Sequence, residues 1–252
     1  MSAYAHLAPL YDRLMDDFDY PAWADHYLAL LELAGVHGGR LCECACGTGA
    51  ITLELAQKGA FALTGVDISG EMLSIAQRKA RERGLKIPFV RQDMCALELP
   101  RRVDALLCTC DGVNYLTDEK RLQAFLRRAK ANLKPGGALA FDISTEEKLC
   151  RILGDNFFGE EREDCAYLWW NHYDDKTRSA HMELTFFTRG PDGRYERTAE
   201  EHIQRAWREE ELREALIREG FENIRIFGGF GLQTPKEGDL RIHILANNGR
   251  TA

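Results

Sequence analysis

Leu41-Cys42-Glu43-Cys44-Ala45-Cys46-Gly47-Thr48-Gly49-Ala50-Ile51-Thr52-Leu53-Glu54-Leu55-Ala56 opens as a short apolar run, tightens into a Gly-x-Gly turn and leaves as a helix. A strand, a turn and a helix in that order hold a nucleotide-like ligand at the end of the strand. The glycines let the backbone pass close to the ligand, and the helix N-terminus faces it with unpaired N–H groups. Gly-x-Gly alone is a common pattern. Two acidic strand ends add to it here: Val66-Asp67-Ile68 closes the next strand, and Gln92-Asp93-Met94 closes the one after.

The fingerprint of dinucleotide-binding folds also has an acid after its second strand, so Asp67 by itself does not choose the ligand. Three features do. The third glycine is missing, since the turn reads Gly47-Thr48-Gly49-Ala50-Ile51-Thr52. An acid, Glu43, sits inside the first strand, and a second acid-bearing strand end follows at Asp93. This set resembles the class I S-adenosylmethionine (SAM) methyltransferases, whose first motif usually reads Asp-x-x-Cys-Gly-x-Gly. Glu43 stands where that Asp would be. The resemblance continues through Leu133-Lys134-Pro135-Gly136-Gly137-Ala138-Leu139, which is similar to the family's turn into its fifth strand. It covers roughly residues 4 to 145, and the tail fits the family's last helix and strand pair.

The implied fold is α/β: a Rossmann-like, seven-stranded, mostly parallel sheet with helices on both faces. The implied cofactor is SAM, with S-adenosylhomocysteine (SAH) as its product. At the N-terminus, Tyr11-Asp12-x-Leu14-Met15 followed by Tyr20 and Trp23 resembles the helical cap of small-molecule methyltransferases. The likeness is nearest to a bacterial group called YqeM-like and more distant to amino-sugar N-methyltransferases. In such relatives the segment lies over the SAM pocket, which would make Tyr11 a lining residue. The alternative is that Tyr11 and Trp23 pack two helices together.

The 252 residues are 45% hydrophobic, enough for one large α/β domain with an ample core. A net charge of −7 and a pI near 5.6 argue against broad contact with a phosphate backbone. Arg78, Lys79, Arg81 and Arg83 cluster, but Glu82 interrupts them, as on a solvated helix face. The first residues show no signal-peptide pattern, and no apolar run approaches the ~20 residues of a membrane span, so a cytoplasmic protein is expected. Eight cysteines in such a chain read as reduced, buried thiols.

Apolar spacing predicts a helix over 4–17, kinked or starting late because of Pro9, and a second helix opening at Tyr20-Pro21. Together they make a cap over residues 1–36. The cofactor-binding core follows over 37–144. Its strands are expected at 40–45, 60–66, 87–91, 103–109 and 138–143, and its helices at 50–58, 70–83 and 118–132. Strands alternating with helices imply right-handed crossovers and a parallel sheet. Residues 145–165 read as helix and loop. Three extended segments then run over 167–173, 180–189 and 195–207, separated by hairpin turns, as an inserted antiparallel meander. The frame resumes over 208–252 with a helix at 209–219 and strands at 224–227 and 240–246.

With SAM as the ligand, each of its parts wants a different partner. Asp67, at a strand end, can accept both ribose hydroxyls, or it can simply cap a helix. Ile68 and Met72 can sandwich the adenine, while Asp93 and Met94, with Gln92 beside them, meet its edge. The methionine end meets the backbone of Ala45, Cys46, Gly47 and Gly49, and Glu43 takes its ammonium directly or through water. A buried acid without a cationic partner is costly, which favours a ligand contact. Cys110 and Asp111 follow strand four near the topological switch, and Asp111 meets the same ammonium or the acceptor.

Methyl transfer needs alignment and a site shielded from water, and a general base is useful when the acceptor must lose a proton. His202 is the preferred base, because His202 and Gln204 alternate along a polar extended run. A solvent-facing histidine is the competing reading. Tyr115, which is also expected among the cofactor contacts, and Asn114 are rival acceptor contacts, and His172 and His181 lie on neighbouring strands. Cys42, Cys44 and Cys46 share one face of strand one, and Cys108 and Cys110 one face of strand four. They make either packing groups or a thiol cluster, and the zinc-knuckle spacing is absent.

The expected activity is SAM-dependent methyl transfer to nitrogen or oxygen of a small molecule, with no metal, nucleic acid or membrane partner. Pairing of two copies through the inserted strands is open. Alternatives are a SAM-binding module without turnover, a tRNA or protein methyltransferase, and a nicotinamide-linked dehydrogenase.

Overall fold

The computed structural model describes residues 7–249. The start of the helix expected from residue 4 lies outside the described residues. From Leu7 onward Pro9 decides the outcome. The helix α1, Ala8–Leu14, begins late and keeps the proline in its first turn, where a missing N–H costs no intrahelical bond. Helix α2, Tyr20–Leu33, is capped by Asp19, whose side chain accepts from the Ala22 N–H at 3.0 Å.

The core alternates strand and helix: β1 Gly39–Cys44, α3 Ala50–Gln57, β2 Phe61–Asp67, α4 Gly70–Glu82, β3 Phe89–Arg91, β4 Val103–Cys108, α5 Glu119–Asn132 and β5 Leu133–Ser144. Ser69 caps α4 through the Met72 N–H, and Asp118 caps α5 through the Arg121 N–H. Strand β5 starts well before Gly136-Gly137, because the segment from Leu133 already pairs with Val103 before the register shifts.

After a π-helical turn, Glu147–Leu153, four strands rather than three form the inserted sheet: β6 Phe157–Glu161, β7 Cys165–Asp174, β8 Ser179–Arg189 and β9 Tyr195–Arg205. The extra strand, β6, lies in the stretch read as helix and loop. It is an edge strand paired only to β7, so most of its side chains face solvent and carry no alternating pattern. Helix α6, Glu209–Arg218, and strands β10 Phe221–Gly228 and β11 Arg241–Asn248 complete the chain.

The large sheet has the order β10-β11-β5-β4-β1-β2-β3, and all its pairings are parallel except those of β11. Each central strand is apolar on both faces. Cys42, Leu106, Phe141 and Ile244 pack toward α5 and α6, while Leu41, Leu107, Ala140 and Leu245 pack toward α2 and α3. The order reverses between β1 and β4, and ligands of such sheets sit at that point, beyond the strands' carboxyl ends. Helix α1 lies on the inserted sheet there, with Leu7 and Leu10 against Cys165 and Phe186.

No helix among the described residues is long and apolar enough to cross a membrane. The five cysteines expected to share faces do so only in part: Cys42 and Cys44 share one, and Cys46 and Cys110 leave it. Cys42, Cys44 and Cys108 lie in one core, Cys46 packs with Leu53, Leu73 and Phe89, and Cys110 faces the second core. The cause is backbone geometry. Strand β1 ends at Cys44 and Ala45 turns to a φ of 52°, and Cys110 does the same beyond β4 with a φ of 55°. Among the described residues no group of three or more side chains is placed to hold a metal, and all eight cysteines are free thiols.

Candidate active site

A cleft of about 1020 Å³, counting its open mouth, lies where β1, β2 and β4 end. Its floor is the turn that the sequence singles out. Ala45, Cys46, Gly47 and Thr48 line it, with Ala50 and Ile51 at the start of α3. Gly47 has a φ of 53° and nothing within 4 Å of where a Cβ would stand, so its backbone faces open space. Gly49 is not on the wall. Its φ of 72° starts α3, and a Cβ there would lie 3.0 Å from the Ala76 Cβ and 3.1 Å from the Phe89 ring.

Asp67 closes β2 and fixes this turn to the strand. Its Oδ2 accepts the Gly47 N–H and its Oδ1 the Ser69 N–H, both at 2.8 Å. Burial pushes the Asp67 carboxyl up, while the N–H groups of Ser69, Gly47 and Ile68 pull the other way. Each oxygen keeps lone-pair capacity toward the cleft, enough for a pair of hydroxyls. Ile68 and Met72 both line the cleft but differ in kind. Ile68 is 54% exposed, an apolar face without a protein partner, whereas Met72 is only 2% exposed and packed. Gln92, Asp93 and Met94 form the far wall. Gln92 clamps Glu98 through that residue's N–H and carbonyl, and Asp93 caps the next turn through the Cys95 N–H and pairs with Arg121 at 3.2 Å.

Glu43 is buried at the end of β1 and reaches the cleft. Its partners are hydroxyls: Thr109 donates to Oε1 at 2.6 Å, and Thr52 donates to Oε2. Burial raises its carboxyl to about 7 against the pull of the Thr109 and Thr52 hydroxyls. Among the described residues Glu43 has no ion pair, so the site is short of one positive charge beside a buried acid. Thr52 and Thr109 were invisible as partners in the sequence, though Thr52 lies one helical turn along from the glycine turn.

Tyr11, Tyr20 and Tyr115 close the other side of the cleft. Tyr11 thus lines the pocket, while Trp23 packs in the core with Tyr27, His243 and Phe230. Helix α1 is tied over the turn by Asp12, which accepts from the Thr48 hydroxyl at 2.6 Å and from Lys79 at 2.7 Å. Cys110 lines the cleft, but its neighbour does not. Asp111 turns away to pair with Arg241, which also holds the buried Asp142. Burial works against the charge of Asp111, yet Arg241 and Lys148 hold its carboxyl below the usual range. That partner lies far along the chain, so the sequence could not show it.

Asn114 is likewise no wall residue. It is fully buried and braces the frame, donating to the carbonyls of Ser144 and Arg205 and accepting from the Ser144 N–H. His202 is not solvent-facing. It is 4% exposed on the inward face of β9, and its Nδ1 stands 3.4 Å from the Tyr115 hydroxyl. His172 and His181 are exposed on the opposite face of the inserted sheet.

An electron-poor ligand with a cationic amino end, a ribose and a flat apolar ring fits this wall. It would meet Glu43, Asp67 and the uncovered Ile68 in that order along the strand ends.

Comparison with known proteins gives the family. Residues 41–137 match a family model described as a methyltransferase domain. A protein of Geobacillus sp. (strain WCH70) that carries a methyltransferase's name is 35% identical over 244 residues, which cover 96% of this chain and 98% of that one. YqeM of Bacillus subtilis (strain 168), similarly named, is 32% identical, with 98% of each chain covered. The crystal structure of a SAM-dependent methyltransferase from Clostridium acetobutylicum ATCC 824 superposes with a TM-score of 0.87 at 32% identity, over 98% of this chain and 99% of that one. The chain belongs to the SAM-dependent methyltransferases, and its cofactor is SAM.

Proposed function

We propose that the enzyme methylates a nitrogen or an oxygen of a small-molecule acceptor. The observation that carries this reading is Tyr115 on the cleft wall, whose hydroxyl stands 3.4 Å from the buried His202. On this reading the two would form a proton-handling pair beside an acceptor held in the cleft. Bound SAM supplies an electrophilic methyl group on a sulfonium. Asp67 would hold its ribose, Ile68 and Met72 its adenine, Asp93 and Met94 the adenine edge, and Glu43 its ammonium. Tyr11 of α1 and Tyr20 at the start of α2 would keep water from the reacting atoms.

An acceptor amine attacks only when neutral, and an acceptor hydroxyl must shed its proton. Tyr115 and His202 would take that proton. The net charge of −7 disfavours tRNA as the acceptor. The chain reads as one methyltransferase domain in a reducing compartment such as the cytoplasm, where eight free thiols persist. Two copies would pair through the outward face of the inserted sheet, which exposes Phe157, Leu168 and Trp170. Sedimentation equilibrium tests that pairing.

The function is tested in two steps. Calorimetric titration of SAM and SAH into the wild type and Asp67→Ala should show binding that the variant loses. SAH release is then followed across panels of small amines, phenols and alcohols. Release with one of these classes is the expected result. SAM binding with no release from any of them, and release on tRNA or protein instead, would overturn the small-molecule reading.

A further inference from the structure

A line of polar side chains runs from the inserted sheet to the cleft wall, and one member has no role in the reading above. Glu200 and His202 are two residues apart on β9, so both point to the inward face, opposite Leu184 and Met182 of β8. They are 8% and 4% exposed. His202 Nε2 stands 3.2 Å from Glu200 Oε2, and its Nδ1 faces the Tyr115 hydroxyl. The Glu200 Oε1 accepts the Leu7 N–H at 2.9 Å, just before α1 begins.

Putting an acid and an imidazole in a packed sheet face is expensive, and apolar residues at both positions would stabilise the sheet as well or better. An ionised carboxylate only accepts hydrogen bonds. It therefore selects the tautomer with the proton on Nε2 and leaves the lone pair on Nδ1, toward Tyr115. We propose that Glu200 is a positioning residue for methyl transfer, setting the tautomer and orientation of His202 so that His202 can accept the Tyr115 proton.

The inference rests on the proposed role of Tyr115 and His202. The acceptor's N–H or O–H bond breaks and its proton goes to the Tyr115 oxygen. The Tyr115 O–H bond breaks in turn and its proton goes to Nδ1. His202 is left as an imidazolium beside the Glu200 carboxylate, which balances the new charge before solvent removes the proton. The logic is that of a buried carboxylate behind a catalytic histidine. The Leu7 N–H ties the same carboxylate to α1, so the helix that carries Tyr11 onto the cleft also braces the relay.

The test needs no knowledge of the acceptor. In protein labelled with ¹⁵N-histidine and loaded with SAH, long-range ¹H–¹⁵N spectra report which ring nitrogen is protonated, and the His202 signals are assigned by their loss in His202→Gln. Wild type should show the Nε2–H tautomer alone. Glu200→Gln and Glu200→Leu should show both tautomers, and Glu200→Gln, whose amide oxygen can still accept the Leu7 N–H, should keep SAM affinity by calorimetry within about threefold of wild type. An Nδ1–H tautomer in the wild type, or an unchanged tautomer in a folded variant, overturns the proposal. Glu200→Gln nearly keeps the shape of the side chain, so it carries the test if Glu200→Leu does not fold. With an acceptor from the panels, Glu200→Gln should lower kcat by about 10- to 100-fold, leaving KM for SAM nearly unchanged. An unchanged kcat also overturns it. Failure of the underlying reading looks different: SAM does not bind, or the His202→Gln enzyme turns over at the wild-type rate.

Discussion

The Thr109 hydroxyl donates to Glu43 Oε1 at 2.6 Å, so the acid at the end of β1 meets a neutral donor where an ion pair would be expected for a buried charge. Burial holds the carboxyl near 7, against an ordinary value of 4.5. The folded protein therefore binds this proton more tightly than the unfolded chain. Its contribution to stability is present in full below about 4.5 and is lost as pH rises through about 7, by up to about 3 kcal/mol. Glu43→Gln removes that loss, so the ligand-free variant should melt higher than wild type at pH 8 and nearly level with it at pH 5. On the proposed role of Glu43, SAM should bind the variant more weakly, because the ammonium would lose its counter-charge. In wild type the affinity should fall by up to tenfold per unit below about pH 7, and in the variant it should stay flat over that range. Melting curves and calorimetry across pH 5 to 8 check both halves. A variant that melts lower at pH 8 would contradict the account.

Arg241 holds two carboxylates at once, Asp111 and the fully buried Asp142, and lies 5.0 Å from the Trp23 ring centroid. Tyr27 and the Cys110 N–H also donate to Asp142, at 2.6 and 2.7 Å. Arg241→Met keeps most of the apolar stem but leaves two acids without the cation that pairs with both, with only the charge of Lys148 still acting on them. The expected loss in urea unfolding is about 3–5 kcal/mol at pH 8. The acids' folded-state pKa values rise in the variant, so its missing stability returns as pH falls and they take up protons. The deficit should shrink by pH 5. A deficit independent of pH would mean that packing, not charge, is what Arg241 supplies.

What the sequence shows and what it hides divide by range. The Gly47-x-Gly49 turn, Asp67 and the alternation of strands and helices are local patterns, because backbone sterics and strand burial act over a few residues. They place the cleft and most of the residues that line it. Contacts that join distant segments leave no such trace. Asp111 reads as a ligand contact because it follows a central strand, and only its ion pair with Arg241 turns it away. Asn114 reads as an acceptor contact, yet it satisfies the backbone of Ser144 and Arg205. The alternation of His202 and Gln204 is legible in the sequence, but which face meets the core depends on where the whole inserted sheet docks. Strand β6 was missed because an exposed edge strand needs no apolar alternation.

Gly49 tests the turn itself. A side chain there must adopt a φ of 72°, and its Cβ would stand 3.0 Å from Ala76 and 3.1 Å from Phe89. Neither neighbour can swing away as a long surface side chain would. Gly49→Ala should cost about 1–3 kcal/mol in urea unfolding and should weaken SAM binding, since α3 can then no longer start in register with Gly47. Gly84→Ala is the control. It has a similar φ of 67° with nothing within 4 Å, so it carries the backbone strain alone. It should leave SAM affinity unchanged. Equal losses of affinity in the two variants would show that strain, not the close packing under the turn, sets the geometry of the site.

Asp12 is one of the ties that hold α1 over the cleft. Its carboxylate takes the Thr48 hydroxyl at 2.6 Å and Lys79 at 2.7 Å, joining the helix that carries Tyr11 to the turn below. Lys79 is mostly covered, with 17% of its side chain exposed, but Asp12 is 36% exposed, so the pair adds little to global stability. Its effect is local. Asp12→Ala should leave the melting temperature within a few degrees of wild type and speed hydrogen exchange in residues 8–14. It should also raise the dissociation rate of SAM by about 3- to 30-fold, while the association rate changes less. Lys79→Met should act in the same direction but more weakly, because Thr48 still donates to Asp12. Stopped-flow displacement of SAM by SAH measures the rate. An unchanged dissociation rate together with faster exchange in α1 would show that the helix opens without releasing the cofactor, and that the turn and Asp67 hold SAM on their own.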